Sequence, residues 1–321
     1  KDFYKGDIKK AREEMRNLYN NAIQAWREYV PARLEKVENI NSDTEPHRYH
    51  IYRHFRFGSL IDFFLTDSRS YKSKPDLADK DNPSATMLGT NQKKWLINGV
   101  TNTDAIWKVW GNQTLLATAQ ANVKLAEIKK EPELIEDWQA FMAERYEILQ
   151  AVKNSETAKH ETDKASRFVV FTGDMHTSMI SELKTDFQET NNYHSKLAGV
   201  EFMTPALTSP GVLEGAREEI KKMAGSSARW ILEKFVDENK ILTEFNKHLS
   251  PHIKHYDSSI YGYAIAEFTP EELTWEVYKI NKTVYDKADD GRKISTKRDN
   301  RKSPAVYAKY DPNKIQLTIN E

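Results

Sequence analysis

The chain of 321 residues contains no cysteine. Disulfides, thiolate metal ligands and a cysteine nucleophile are thereby excluded, and any metal must be held by His, Asp, Glu, Asn or Tyr. Net charge is absent too. With 48 Lys and Arg against 48 Asp and Glu, and the signs interleaved, no global field draws the chain to nucleic acid or an anionic membrane. Nor does any apolar run reach the ~18 residues that mark a membrane-spanning helix. The first residues, Lys1-Asp2-Phe3, are neither a Met nor the charged-then-apolar order of a signal sequence, and the expectation is a processed or truncated front. What is present is a foldable composition. At 39% hydrophobic and 11% aromatic residues, the chain carries enough apolar surface for one large domain or two ordinary ones.

Apolar residues at Ile8, Ala11, Met15, Leu18, Tyr19, Ala22, Ile23 and Trp26 recur with a period near 3.6. The spacing predicts an amphipathic helix within residues 8–38, ended or bent at Pro31. The segment HIYRHFRFGSLIDFFLTDSRSY alternates around Gly58 and predicts a strand pair whose second member is buried on both faces. A loop over residues 72–86 precedes a short helix after Thr90, with Gln92, Trp95 and Leu96 facing inward. Residues 105–116 hold a second buried strand, residues 122–153 a helix interrupted at Pro132, and RFVVF (residues 167–171) a third strand. A helix is expected over residues 226–249, a hairpin over Tyr261 to Ile280, and a charged solvated loop over residues 287–304. Strands alternating with helices, each strand followed at once by polar residues, predict a layered α/β sheet with its active edge at the strand ends.

Gly173-Asp174-Met175-His176 directly follows RFVVF. The glycine permits a tight turn, after which a carboxylate and an imidazole two residues apart can point into one crevice. A capped turn with an ordinary surface histidine gives the same pattern. Gly111-Asn112-Gln113 follows IWKVW in the same way, as an amide pair at that edge or as a polar turn. In Leu65-Thr66-Asp67-Ser68-Arg69 an acid and a guanidinium lie two apart, so Arg69 either clamps a phosphate or pairs with a carboxylate. His47, His50 and His54 would scatter over both faces of a strand and its loop, and are read as non-ligands. His252 and His255, beside Pro251, read as a surface turn or as a substrate contact. The seven tryptophans read as core rather than as a platform for nucleic-acid bases.

Taken in order, FRFGSLIDFFLTDSRSY, MLGTNQKKWL, IWKVWGNQ, ERYEIL, FVVFTGDMHTSM, GVEFMTPALTSPG and SPHIKHYD with YGYAIAEFTPEELTWEVYKI resemble the alkaline phosphatase D (PhoD-like) family of metallophosphoesterases. The resemblance implies a four-layer α/β/β/α metallophosphatase sandwich, of which residues 1–321 supply the C-terminal sheet and helices. It implies hydrolysis of phosphate monoesters and diesters by a metal-bound hydroxide, with Fe3+ and Ca2+ as cofactors, in the periplasm or as a secreted enzyme. Where the usual metallophosphatase has two imidazoles, this chain has Asn112 and Asp174, while His176 is kept. Hard oxygen donors suit calcium, so the resemblance assigns Asn112 and Asp174 to Ca2+, His176 to iron, and Arg69 to the phosphate or to bracing the site. The early metal motifs of the family and its cysteine ligand are not in this sequence. The expected partners are therefore a phosphate ester and the N-terminal half of the same enzyme, without which this chain is expected to be incompetent. Two alternatives stand beside this reading: a phosphodiesterase specialised for lipid or cell-wall polymers, and a non-catalytic fragment or binding module.

Overall fold

In a computed structural model, residues 8–32, 35–36, 49–74, 79–119, 137–160, 167–187, 197–211, 248–283, 295–298, 304–312 and 316–320 are described. They divide into two compact units, residues 1–51 and 52–321. The first unit contains helix α1 (Ile8–Tyr29) and the antiparallel pair β1 (Glu35–Lys36) and β2 (Tyr49–His50). Helix α1 follows the 3.6-residue spacing and stops two residues before Pro31, because the residue preceding a proline is pushed out of the helical region.

The second unit begins with a hairpin of β3 (Arg53–Phe57) and β4 (Ile61–Leu65), turned through Gly58 at a φ of 57°. Then come α2 (Thr90–Asn102), β5 (Trp107–Gly111), a 3₁₀ turn (Trp138–Ala140) and α3 (Met142–His160). Strands β6 (Phe168–Thr172), β7 (Ser178–Lys184), β8 (Leu197–Met203) and β9 (Ile253–Asp257) complete a seven-stranded sheet in the order β3-β4-β5-β6-β8-β7-β9. Its centre, β4-β5-β6-β8, is parallel, whereas β3, β7 and β9 run antiparallel to their neighbours. The second sheet is antiparallel, in the order β10 (Gly262–Phe268), β11 (Leu273–Thr283), β13 (Val306–Asp311) and β14 (Gln316–Asn320).

Side-chain alternation explains the layering. On β5, Trp107 and Val109 point toward the second sheet and pack with Trp275 and Val277, while Trp110 points the other way, into the cluster of Leu96 and Leu149 from α2 and α3. Strand β6 does the same, with Val169 toward the sheet and Phe168 and Val170 toward the helices. A strand covered on both faces must be apolar throughout, which is why these segments read as continuous hydrophobic runs. Helix, sheet and sheet are thus stacked in the α/β sandwich that the sequence predicts. No described helix is long and apolar enough to cross a membrane.

Several details differ from the sequence reading. Strand β4 alternates between buried and half-buried positions rather than being buried throughout. The helical stretch after Pro132 begins at Met142 and continues to His160, while residues 120–136 and most of the expected 226–249 helix lie outside the described residues. Within the charged 287–304 segment, Ser295–Arg298 is a strand, β12, antiparallel to Ile280–Thr283 of β11. Strand β11 is eleven residues long and β13 pairs only its first half, so β12 satisfies backbone groups that would otherwise stay open.

The histidines also need correction. Neither His252 nor His255 is at the surface: each is only 1% exposed, His255 on β9 beside β7 and His252 in the buried turn that leads into β9. His255 Nε2 lies 3.0 Å from Ser178 Oγ, and His252 Nε2 donates to Thr118 O at 2.7 Å. His54 is 2.8 Å from Asp62, which fits its reading as a non-ligand, and His47 lies outside the described residues.

One charge breaks the apolar pattern of β5. Lys108 Nζ meets Glu156 Oε1 of α3 at 2.8 Å, both side chains 4% exposed. Removing one partner leaves the other charge buried alone, so Lys108→Met is expected to cost about 3–5 kcal/mol in urea unfolding. A second expectation concerns pH. Burial pushes His252 down to about 3, and its Nδ1 has no hydrogen-bond partner to stabilise an added proton. The native state therefore binds fewer protons than the unfolded chain below the ordinary imidazole value. The stability contributed is complete above about pH 6.5 and is lost as pH falls toward 3, at up to ~1.4 kcal/mol per pH unit. His252→Gln, which keeps the donor to Thr118, should flatten that loss in urea titrations at pH 6.5 and below.

Candidate active site at the carboxyl ends of the parallel strands

The turn after β4 is held from three sides. Asp67 Oδ1 accepts the backbone amides of Arg69 at 3.0 Å and Ser70 at 2.9 Å, closing a tight local turn. Gln92, from α2, accepts the Asp67 amide at 2.6 Å and returns its own NH2 to Asp67 O at 3.0 Å and Leu88 O at 2.8 Å. Gln113, beyond β5, accepts Ser68 N at 3.1 Å and donates to Thr66 O. These side-chain amides imitate a neighbouring strand where the ladder has ended. Arg69 is carried on this turn, and its Nη2 lies 3.6 Å from Asp174 Oδ1.

Asp174 belongs to the turn after β6. Among the described residues other than glycine, only Asp174 and His176 have positive φ, at 70° and 54°. A left-handed backbone costs of the order of 1–3 kcal/mol per residue, although Asp and His tolerate it better than most. The turn is closed by Met175 N to Gly173 O at 2.9 Å and by Thr177 Oγ1 to Met175 O at 3.1 Å. His176 Nδ1 lies 2.6 Å from Pro210 O. Because a carbonyl can only accept, Nδ1 carries a proton, which makes Nε2 the lone-pair nitrogen of the neutral ring. Close approach completes the arrangement: a Cβ on Gly211 would sit 3.0 Å from both His176 O and Ser258 O, so a larger residue would push on this turn.

Asn112 directly follows β5, next to β6. It is buried, with its backbone amide on Phe171 O at 2.9 Å and its Nδ2 on Thr114 O at 2.5 Å. Its Oδ1 accepts Trp138 Nε1 at 3.1 Å, which leaves one acceptor site on that oxygen. Trp138 stands on the 3₁₀ turn capped by Asp137, whose Oδ1 accepts Gln139 N at 2.9 Å. Burial raises the pKa of the Asp137 carboxyl, and the charge of Asp174 adds to that rise, so the two acids share one electrostatic neighbourhood.

The donors on offer are the Asp174 carboxylate, the Asn112 amide oxygen and the open Nε2 of His176. Two hard oxygens suit calcium, and an imidazole oriented through its other nitrogen by a backbone carbonyl is how metal-binding histidines are commonly held. No three His, Asp or Glu side chains converge among the described residues, so this set would supply at most part of a metal shell. The structure brings Arg69 to Asp174, sets His176 two residues on, and places Asn112 at the adjacent strand end. Sequence reading missed Trp138 as the partner of Asn112 and Pro210 as the orienting group of His176. A tryptophan reads as core, and a carbonyl has no residue-type signature.

Comparison with known proteins bears on the family and the fold. The sequence model of the PhoD-like phosphatase family matches residues 1–277. Alkaline phosphatase D of Bacillus subtilis (strain 168) is 28% identical over 285 residues, covering 86% of this chain and 40% of that protein. A solved structure of PhoD superposes with a TM-score of 0.55 at 22% identity, over 93% of this chain and 48% of that one, which speaks for the fold. The chain therefore spans less than half the length of these relatives. With the family match covering most of its length, the chain belongs to the PhoD-like phosphatase family.

Proposed function

We propose that this chain forms part of the catalytic domain of a metal-dependent phosphoesterase acting on phosphate monoesters and diesters. The observation that carries the reading is the turn after β6, where two left-handed residues, Asp174 and His176, stand at the strand end beside Arg69. Strained backbone concentrates at functional sites, and family membership names the chemistry.

In this reading Asp174 and Asn112 hold calcium and His176, through Nε2, holds iron. The bound ions supply Lewis acidity and make water a better nucleophile at neutral pH. Pro210 keeps the proton on Nδ1 of His176, so the imidazole faces the site as a lone-pair donor. Trp138 and Thr114 fix the plane of the Asn112 amide. Arg69 presents a planar fork of N–H donors that matches two oxygens of a phosphoryl group. Asp174 steadies that fork from 3.6 Å. The remaining ligands are assigned to the N-terminal half of a PhoD-like domain, and the enzyme to the periplasm or the medium, both by family resemblance.

The test is hydrolysis of bis-p-nitrophenyl phosphate and p-nitrophenyl phosphate by the polypeptide that includes the N-terminal half, with calcium and iron supplied. Asp174→Ala and His176→Ala should each lower kcat at least ~100-fold with the fold retained and Tm lowered by only a few degrees. Near wild-type turnover with full metal content in either variant would sink the site assignment. Asp174→Gly should be equally inactive yet more stable by about 0.5–1 kcal/mol, because glycine accepts a positive φ without steric cost. Removal of calcium with a chelator should lower activity, and added calcium should restore it.

A further inference from the structure

The segment that follows Asn112 is irregular and yet buried: Thr114 through Ala119 are all 6% exposed or less. Buried irregular backbone has lost its water and has no ladder to replace it. Here long polar side chains from separate elements supply the partners. Glu201, on β8 and fully buried, accepts the amides of Leu116 and Ala117, one on each carboxylate oxygen, at 2.8 Å. Arg145, on α3, donates Nη1 to Leu116 O at 3.1 Å, and His252 donates to Thr118 O at 2.7 Å.

We propose that Glu201 is a positioning residue of the site, gripping the amides of Leu116 and Ala117 and thereby helping to fix where the side chain of Asn112 points. The link is short. Asn112 hydrogen-bonds Thr114 O, two residues before the first gripped amide, so a displacement at Leu116 is passed to the Asn112 side chain. An apolar residue of equal volume would fill the same space, but it could not orient two successive N–H groups. Burial raises Glu201 to about 7, while the two amides act in the opposite direction and favour the carboxylate. Arg145 sits in the field of Asp137 and Glu201, and although burial brings it down to about 10 it stays charged at neutral pH. The catalytic consequence rests on the phosphoesterase reading; the grip itself does not.

Glu201→Gln keeps the shape and one acceptor but turns an NH2 toward one of the two amides. In the polypeptide that includes the N-terminal half, loaded with calcium and iron, it should speed deuterium exchange of the 112–119 segment at least tenfold. Peptides from β11 and β13 should exchange as before. Turnover of bis-p-nitrophenyl phosphate should fall at least tenfold in kcat, with KM changed less than twofold. Unchanged exchange at 112–119, equal acceleration in all peptides, or local acceleration with kcat intact would each overturn the proposal. If Glu201→Gln does not fold, Arg145→Lys is the second variant. It keeps the charge, loses the contact to Leu116 O, and should give the same local pattern to a smaller degree. A wild-type enzyme without phosphoesterase activity would end the hydrolase reading, and the exchange comparison would still decide whether Glu201 holds the segment.

Discussion

The parallel strands β4, β5, β6 and β8 lie between helices on one side and a second sheet on the other, so side chains along their length must be apolar or fully paired. Lys108 with Glu156, Asp62 with Arg56 and His54, and Glu201 with its two amides are paired exceptions. Polar chemistry that needs solvent is confined to the strand ends, where the ladder stops and the backbone can turn. Arg69, Asn112, Asp174 and His176 are all found there, because no other part of these strands could hold them. The α/β sandwich thus selects the address of the site before any particular residue is considered.

Holding a site at such an edge costs stability. Left-handed backbone at Asp174 and His176 together costs of the order of 2–6 kcal/mol, against the roughly 5–15 kcal/mol by which a domain is stable. The surroundings offset this with hydrogen bonds that leave little freedom: Pro210 on His176, Trp138 on Asn112, and Gln92 and Gln113 on the turn that bears Arg69. Each of these comes from a different element, so the site is rigid only when the whole unit is folded.

Much of this was legible in the chain. Apolar runs marked β4, β5 and β6, the alternation around Gly58 marked the first hairpin, and the polar residues just past each run marked the functional edge. The strand order was not legible, because β8 inserts between β6 and β7 and nothing local encodes that crossover. His252 and His255 misled for the same reason, since their burial depends on β9 docking beside β7. Glu201 was invisible as well. In the run LAGVEFM it reads as one charge in an apolar strand, and it acquires a purpose only when a buried loop turns two amides toward it. Short β12 was hidden by its charge, which patterning assigns to loops.

Gln92 and Gln113 serve as substitute backbone, each accepting from one amide and donating to at least one carbonyl. Such a post can be filled by an amide and by no acid of the same shape, since a carboxylate would face carbonyl oxygens with nothing to donate. Slow hydrolysis of either side chain to glutamate, the ordinary ageing of amides at elevated temperature, would therefore loosen the turn under Arg69 while leaving the apolar layers intact. In a chain built this way the candidate site would loosen with age before the fold was lost.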